Sequence, residues 1–232
     1  AQVDTSFIVC LGDTATDLSA IIVHMQTGER TIFHNRDANE KLTILPAHLE
    51  GAEWVFVSAL NGPWKENAEV ILAAQERYGF RIALNPGQHN IKEDAAFMRT
   101  LASRAEVLLL NKDEALELVQ KNDPSFAEAR LENELHLLAA LHSWGPKHIG
   151  MTDGLRGAWA SGPNEVWHGE ALVLHDAKDA TGAGDAFSTG FFAAHLGGQP
   201  TVQALRFGLA NSASVVKEYG AVDGLLAKEA LE

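Results

Sequence analysis

Short apolar runs alternate with longer amphipathic segments along the chain after Pro46. A strand that is buried on both faces reads as such an apolar run, and Trp54–Leu60 (WVFVSAL) is an example. It is followed by Lys65–Tyr78, where apolar residues recur at helical spacing until Gly79. The alternation predicts an α/β fold with a mainly parallel sheet covered by helices on both faces. The predicted strands are Trp54–Leu60, Arg81–Leu84, Val107–Leu110, His148–Met151, Ala158–Ser161 and Glu165–His168, and the predicted helices are Lys65–Tyr78, Asp94–Ser103, Asp113–Gln120, Phe126–Trp144, Ala183–Leu196 and Thr201–Tyr219.

The segment before Pro46 has a different pattern, which predicts a β-hairpin. Leu18–His24 (LSAIIVH) and Arg30–His34 (RTIFH) are apolar and partly β-branched, and Gly28 supplies a turn between them. Because this hairpin lies outside the strand–helix alternation, we interpret it as a lid or a small subdomain. The predicted organisation is a β lid region over residues 1–45 and an α/β core over residues 46–232.

Composition and charge narrow the possible partners. The 232 residues are 46% hydrophobic and 21% charged, as in ordinary globular proteins, so the chain can bury a sizeable core. A net charge of −13 leaves no basic patch for nucleic acid or anionic membranes, although backbone amides and a metal ion can still bind a nucleotide. The sequence has one cysteine, no signal-peptide pattern and no apolar run of about 18 residues. We therefore expect a cytoplasmic protein that does not span a membrane.

The stretch Asp179–Phe187 (DATGAGDAF) carries the strongest chemical signal. A helix that begins within it exposes free N–H groups and the positive end of its dipole, and Gly182 and Gly184 let an anion approach the backbone. Such an anion hole suits a phosphoryl group in transfer, and Asp185 in the first turn is placed to accept a proton from an attacking hydroxyl. The alternative is that Asp185 only caps the helix and the glycines only form a turn, since neither a G-K-[ST] phosphate loop nor a complete GxGxxG is present.

This stretch also resembles the D-T-x-G-A-G-D signature of the PfkB-type carbohydrate kinases, the ribokinase-like family. Ala180 stands where the family usually has threonine. Further segments resemble family motifs in the expected order: Val3–Phe7 and TGERTIF for the lid, Asn85-Pro86 at a strand end, Asn111–Glu114 for N-x-x-E, Thr152–Gly157 for T-x-G-x-x-G, and Phe207–Ser214 for the helix beside the adenine. The resemblance implies a ribokinase-like three-layer sandwich with a mainly parallel central sheet, a small β lid and a nucleotide-binding core.

The resemblance also implies a role for each matching residue. Asp185 is the expected catalytic base, and Gly182, Ala183 and Gly184 are expected to form the anion hole. The other implied contacts are Asn111, Thr152, Gly154, Gly157 and Asn211 for ATP, Glu114 together with Asn111 for Mg²⁺, and Asp179 with the Thr181 carbonyl for a monovalent cation such as K⁺. Gly224 stands where the family often supplies a side-chain oxygen to that cation. Arg36 and Asn39, just after the hairpin, are the candidate contacts for the acceptor substrate.

Several of these residues have a purely structural interpretation. Asn111 and Glu114 have the spacing of a helix capping box. Taken alone, Thr152-Asp153-Gly154 is typical of a turn, and Asn211 is typical of a solvated or capping polar residue on a helix. Their joint order around TGAGD favours the functional interpretation.

The leading hypothesis is an ATP-dependent phosphotransferase that moves the γ-phosphoryl group to a hydroxyl of a sugar or nucleoside. The competing hypothesis is a non-catalytic nucleotide-binding or scaffold protein, because the acidic strand and the G-G-x-x-x-N segment that grip the sugar in the family are not found here. On this basis the chain is either a fragment or a naturally short member. A third hypothesis is a kinase for a vitamin-like alcohol. Since family lids often pair between subunits, we expect a homodimer.

Overall fold

The computed structural model describes residues 3–23, 30–126, 133–172 and 177–227. The chain forms two compact units. The first unit comprises Ala1–Ala52 and Leu60–Gly79, and the second comprises Glu53–Ala59 and Phe80–Glu232. The predicted domain boundary between residues 45 and 46 stays a prediction.

The first unit contains a two-stranded antiparallel sheet and one long helix. Strand β1 (Leu18–Val23) pairs with β2 (Arg30–Asn35), as the hairpin pattern predicts, while the expected turn at Gly28 lies outside the described residues. Helix α1 (Trp64–Tyr78) ends at Gly79, whose φ of 77° is left-handed. Its buried Asn67 accepts a hydrogen bond from the Ile44 amide and donates one to the Leu42 carbonyl, each at 2.8 Å. That side chain therefore fixes the segment after the sheet to the helix.

The second unit is built around a six-stranded sheet. Its strands are β3 (Trp54–Val57), β4 (Arg81–Leu84), β5 (Val107–Asn111), β6 (His148–Thr152), β7 (Ala158–Gly162) and β8 (Glu165–Gly169). They lie side by side in chain order, with β3 to β6 parallel and β7 and β8 antiparallel. The helices of this unit are α2 (Gln88–Glu93), α3 (Ala95–Ser103), α4 (Lys112–Asn122), α5 (Glu134–His142), α6 (Ala183–Leu196) and α7 (Thr201–Val215).

Helices cover both faces of this sheet, as the sequence predicts. Val107 and Leu109 on β5 belong to one buried cluster with Phe187 and Phe191 of α6, which covers one face together with α7. Because side chains alternate along a strand, the equally buried Leu108 and its neighbours face the other side, where α4 contacts β5 and β6 and α5 contacts β6. No helix in the described ranges has the length and apolar character that a membrane crossing requires.

Three predicted elements differ from the observed ones by more than two residues at one end. The first strand ends at Val57, the last residue that pairs with β4. The prediction of one continuous helix over Phe126–Trp144 is wrong, because Asn133 has extended dihedrals and its side chain accepts hydrogen bonds from two amides of the first turn of α5. The last helix ends at Val215, and the Val216 carbonyl accepts a hydrogen bond from the Lys178 amide at 2.7 Å. The short helix α2 was not predicted.

We predict that stability falls in mild acid because of two partly buried histidines at the amino end of the sheet. The rings of His148 and His195 lie 4.7 Å apart, and His195 Nε2 is 3.9 Å from Glu106 Oε1. Burial lowers the pKa of both histidines below the usual value. A neighbouring cation lowers each further, His142 acting on His148 and His148 acting on His195, and Glu106 opposes these effects. As the pH falls, these histidines are therefore protonated in the unfolded chain before they are protonated in the folded one. The free energy of unfolding is at its full value above about pH 6.5 and decreases below it, by at most about 1.4 kcal/mol per pH unit for each histidine.

Urea unfolding at about pH 7.5 and pH 5.5 measures this effect. The double variant His148→Gln/His195→Gln is the control, and its stability should vary less between the two pH values than that of the parent. A parent protein that is equally stable at both pH values contradicts the prediction.

Candidate functional site

A cavity of about 140 Å³ lies at the carboxyl ends of β4 to β6, beside the beginning of α6. Parallel sheets commonly bind ligands at this edge. The residues that line the cavity are Asn85, Leu110, Asn111, Glu114, Thr152, Gly184, Asp185 and Ser188. Five residues that the sequence predicts for the site, Asn111, Glu114, Thr152, Gly184 and Asp185, therefore share one cavity although they come from three separate segments of the chain.

The start of α6 depends on Gly182, which caps the helix in a left-handed conformation with φ of 77°. A Cβ atom there would lie 2.7 Å from the Ala221 side chain, so only glycine fits without movement. The Ala183 amide donates to the Ala180 carbonyl at 3.3 Å. Within the described ranges the amides of Gly184 and Asp185 have no hydrogen-bond partner. The first turn therefore offers two free donors at the positive end of the helix dipole, while a part for Ala183 in the anion hole stays a prediction.

Asp179 shapes the loop that leads into α6. Its Oδ1 accepts hydrogen bonds from the Thr181 amide at 2.9 Å and the Thr181 hydroxyl at 2.7 Å, and its Oδ2 accepts one from the Gly220 amide at 3.1 Å. These contacts connect the TGAGD loop to the segment after α7. Neither Asp179 nor Thr181 lines the cavity, and their predicted part in a monovalent-cation site stays a prediction.

Asn111 and Glu114 form a capping box at the start of α4. Asn111 Oδ1 accepts from the Glu114 amide at 2.8 Å, and Glu114 Oε2 accepts from the Asn111 amide at 2.9 Å. The structural interpretation is therefore correct. Because both side chains also line the cavity, it does not exclude the functional one. The Asn111 side chain also interacts with the Glu114 carboxylate, so the two groups stay together at the cavity.

The cavity is electrostatically suited to a cation. Burial raises the pKa of Glu114 above its usual value, the negative charges of Asp113 and Asp185 act in the same direction, and the hydrogen bonds with Asn111 oppose them. No cationic side chain is among the lining residues. A polyphosphate would thus need a metal ion to enter beside these carboxylates.

Mg²⁺ fits this set of donors. It binds oxygen, keeps several of its waters and takes few protein ligands, which suits the carboxylate of Glu114 and the nearby amide oxygen of Asn111. Over the described part of the chain, no group of three or more His, Cys, Asp or Glu side chains is arranged to hold a metal ion. An ion that keeps most of its waters needs no closed cage of protein ligands.

Two polar residues of the cavity were missed by sequence reasoning as site residues. Asn85 Nδ2 donates to Ser188 Oγ at 2.9 Å and so connects the end of β4 to α6. The position of Asn85 directly after a strand was an available signal, because Asn111 ends the neighbouring strand at the same edge. Ser188 follows Asp185 by three residues and so lies on the same side of the helix.

Other predicted nucleotide contacts lie outside the cavity lining. Gly154 and Gly157, with φ of 56° and 92°, shape the turn after Thr152, which is closed by a 2.8 Å hydrogen bond from the Asp153 amide to the Gly157 carbonyl. Asn211 is only 2% exposed; its side chain donates to the Ala186 carbonyl at 2.8 Å and accepts from the Leu226 amide at 2.9 Å. These contacts connect α6, α7 and the segment after α7, and a contact of Asn211 with ATP stays a prediction.

The predicted acceptor contacts belong to the first unit. Arg36 is exposed and donates to Asn61 Oδ1 at 3.3 Å. Asn39 is also exposed, begins a 3₁₀ turn, and donates its amide to Asp17 Oδ2 at 3.2 Å. Their part in substrate binding stays a prediction.

The fold and the position of the cavity define the chain as a ribokinase-like α/β protein. It belongs to the pfkB family of carbohydrate kinases, because the family model matches residues 1–228. A curated relative, the cytidine kinase of Thermococcus kodakarensis, is 32% identical over 124 residues, which are 53% of this chain and 41% of that protein. The chain spans less than half the length of the curated relatives it matches.

Solved structures show the same fold at low sequence identity. The ribokinase of Cryptococcus neoformans, in complex with ADP, is 23% identical with a TM-score of 0.73, over 95% of this chain and 72% of that one. A ribokinase II-type protein of E. coli, in complex with ATP and Mg²⁺, is 20% identical with a TM-score of 0.71, over 86% of this chain and 65% of that one. At these identities the structures establish the fold alone.

Proposed function

We propose that the protein is an ATP-dependent phosphotransferase that moves the γ-phosphoryl group of ATP to a hydroxyl of a sugar or nucleoside. The observation that carries the proposal is the shared cavity, in which Asp185, the free amides at the start of α6 and Glu114 lie together. Phosphoryl transfer depends mainly on positioning and on stabilising negative charge, and this cavity offers groups for both.

Asp185 is the proposed general base. Its side chain is exposed at the cavity and lies in the first turn of α6, next to the free amides that would receive the phosphoryl oxygens. A carboxylate in this place can accept the proton of the acceptor hydroxyl as that oxygen attacks phosphorus. The Thr189 hydroxyl donates to the Asp185 carbonyl at 2.8 Å and helps hold this turn.

Glu114 and Asn111 are the proposed residues that hold Mg²⁺, which when bound neutralises phosphate charge. Thr152, Gly154, Gly157 and Asn211 are the proposed ATP contacts. The complexes of neighbouring structures with ADP, and with ATP and Mg²⁺, support these cofactors. A monovalent cation at Asp179 and Thr181 remains a proposal based on the family resemblance.

The acceptor is proposed to be a sugar or nucleoside, with Arg36 and Asn39 as contacts. The matched relatives include a cytidine kinase, a 6-phosphofructokinase and a fructosamine kinase, which supports both classes. A vitamin-like alcohol is the third proposed class. A cytoplasmic location is proposed as well.

The test is a phosphotransfer assay with Mg·ATP and a panel of sugars, nucleosides and vitamin-like alcohols. ADP release is followed by a coupled assay, and the phosphorylated product is identified by mass spectrometry. Acceptor-dependent ADP release with a matching product supports the proposal. Tight ATP binding with no transfer to any acceptor would instead support the non-catalytic nucleotide-binding alternative.

We further predict that two copies pair through the β1–β2 sheet. On one face of this sheet Leu18, Ile22 and Phe33 are 73%, 62% and 59% exposed. Such an apolar surface is typical of an interaction site, and an uncovered strand edge favours pairing. Sedimentation velocity at micromolar concentration should show a dimer for the parent and a monomer for Ile22→Asp/Phe33→Asp.

The control for this prediction is Ser19→Asp, which places a charge on the opposite face of the same sheet. That variant should remain dimeric. A parent that sediments as a monomer at micromolar concentration refutes the pairing.

A further inference from the structure

Four charged side chains form a connected group beside the cavity. Lys112 Nζ lies 2.6 Å from Glu134 Oε1 and 3.5 Å from Asp153 Oδ2. Arg156 donates to both oxygens of Asp153, at 2.7 and 2.6 Å. We call Lys112, Glu134, Asp153 and Arg156 the charged brace. It contains two acids and two bases, so each charge has an opposite partner.

The position of the brace in the sheet links it to the candidate site. Asn111 and Thr152, which both line the cavity, are directly paired at the ends of β5 and β6. Lys112 and Asp153 directly follow these two strands, so their ion pair joins the two chain segments that leave the sheet next to the cavity-lining residues Asn111 and Thr152. Neither of the two side chains lines the cavity itself.

Burial makes the central part of the brace sensitive to substitution. The side chains of Lys112 and Asp153 are 13% and 7% exposed, whereas Arg156 is 73% exposed. The hydrogen bond with Glu134 raises the pKa of Lys112, and Arg156 and then Lys112 lower the pKa of Asp153. Both groups therefore remain charged around neutral pH. Removing either one breaks the contact between the Lys112–Glu134 and Asp153–Arg156 pairs, and it takes from the remaining, mostly buried charge one of its two opposite partners. This costs more than losing an exposed pair.

We propose that Lys112 and Asp153 are positioning residues that fix Asn111 and Glu114 relative to the turn Thr152–Gly157. The inference rests on the proposed function: the first two residues are the proposed Mg²⁺ contacts, and the turn carries proposed ATP contacts. A brace between these two segments couples Mg²⁺ affinity to ATP affinity, because a shift of one segment is passed to the other and displaces the proposed Mg²⁺ contacts and the proposed ATP contacts together. Residues that hydrogen-bond to metal ligands typically contribute 10- to 100-fold to metal affinity, and for a brace that acts through the backbone we expect an effect near the lower end of that range.

The first experiment measures the Mg²⁺ concentration for half-maximal ATP binding by titration calorimetry. Lys112→Met and Asp153→Asn are each expected to raise it by about 10-fold or more, and Lys112→Arg should recover most of the loss because it keeps the charge. The matched control is Lys121→Met, which breaks a 3.1 Å ion pair with Glu117 near the other end of α4. The control should shift the Mg²⁺ requirement by less than about twofold.

The second experiment uses the ligand-free protein and therefore does not depend on ATP binding. Hydrogen exchange followed by mass spectrometry compares peptides over residues 108–115 and 150–157. Lys112→Met should speed exchange in both peptides together, and Lys121→Met in neither.

The two experiments separate failure of the brace from failure of the proposed function. A parent that binds no ATP overturns the proposed function, and the exchange result still decides whether the brace holds the two segments. Unchanged exchange in Lys112→Met overturns the brace. An unchanged Mg²⁺ requirement in that variant, with a parent that binds ATP, overturns the positioning role.

Discussion

Asp185→Asn is expected to lower turnover by about 10²- to 10⁴-fold, the usual contribution of a general base. Asparagine keeps the size of the side chain but does not accept the proton of an attacking hydroxyl. The free amides of Gly184 and Asp185 belong to the backbone, so they persist in the variant and Mg·ATP affinity should change little. Steady-state kinetics with the best acceptor and calorimetric titration of Mg·ATP provide the two readouts.

Asp123→Asn is the matched control, because it removes the same charge directly after the end of α4, whose first turn borders the cavity. Its turnover should equal that of the parent. Parental turnover in Asp185→Asn would rule out the general base, whereas a joint loss of turnover and Mg·ATP binding would indicate that Asp185 serves the nucleotide instead.

Alanine substitutions at Gly182 and Gly184, at the start of α6, are expected to change the stability of the protein in opposite directions. In Gly182→Ala the new Cβ would lie 2.7–3.0 Å from three atoms of Ala221, at a φ of 77° that itself costs a non-glycine residue about 1–2 kcal/mol. We expect a loss of stability of at least this size. We also expect a fall in turnover of about 10²-fold, because the α6 start is displaced.

Gly184→Ala is the matched partner. A Cβ there meets no atom within 4 Å, and the residue is in the helix. The free energy of unfolding should therefore rise by about 0.4–1 kcal/mol. Mg·ATP affinity should nevertheless fall, because the methyl group enters the cavity that Gly184 lines. Urea unfolding and calorimetric titration separate the two effects. A Gly184→Ala protein with parental affinity would show that no phosphate approaches this turn.

The sequence predicted the sheet well because buried parallel strands read as unbroken apolar runs. Val107–Leu110 is such a run, and the observed strand differs from it only by Asn111. The failure at Phe126–Trp144 has a local cause. Apolar spacing continues past Asn133, but its side chain forms hydrogen bonds with the following amides, and such competition between side chain and backbone is not visible in hydrophobic periodicity.

The candidate site was predictable where its residues belong to short motifs. Asn111 and Glu114 are three residues apart, so the sequence suggested both a capping box and a ligand pair, and the structure gives the capping box at the rim of the cavity. The Asn85–Ser188 hydrogen bond joins residues 103 positions apart and has no local signal. The burial of Asn211 was not predictable either. The sequence shows a polar residue on a helix, but it does not show that backbone groups of other segments will form hydrogen bonds with its side chain in the interior.

The charged brace was not visible as a unit in the sequence either. Lys112 and Asp153 each stand next to a motif residue, but their pairing depends on the register in which Asn111 lies opposite Thr152. Register between parallel strands is set by the packing of both sheet faces, which a single sequence does not specify.

A crystal structure of the protein with Mg²⁺ and a non-hydrolysable ATP analogue would show where the phosphates bind. We expect a terminal phosphate oxygen within about 3 Å of the Gly184 or Asp185 amide nitrogen, with Mg²⁺ on the Glu114 side of the cavity. An analogue bound with its phosphates away from the start of α6, for example in the open cavity lined by Trp159 and His168, would contradict this expectation.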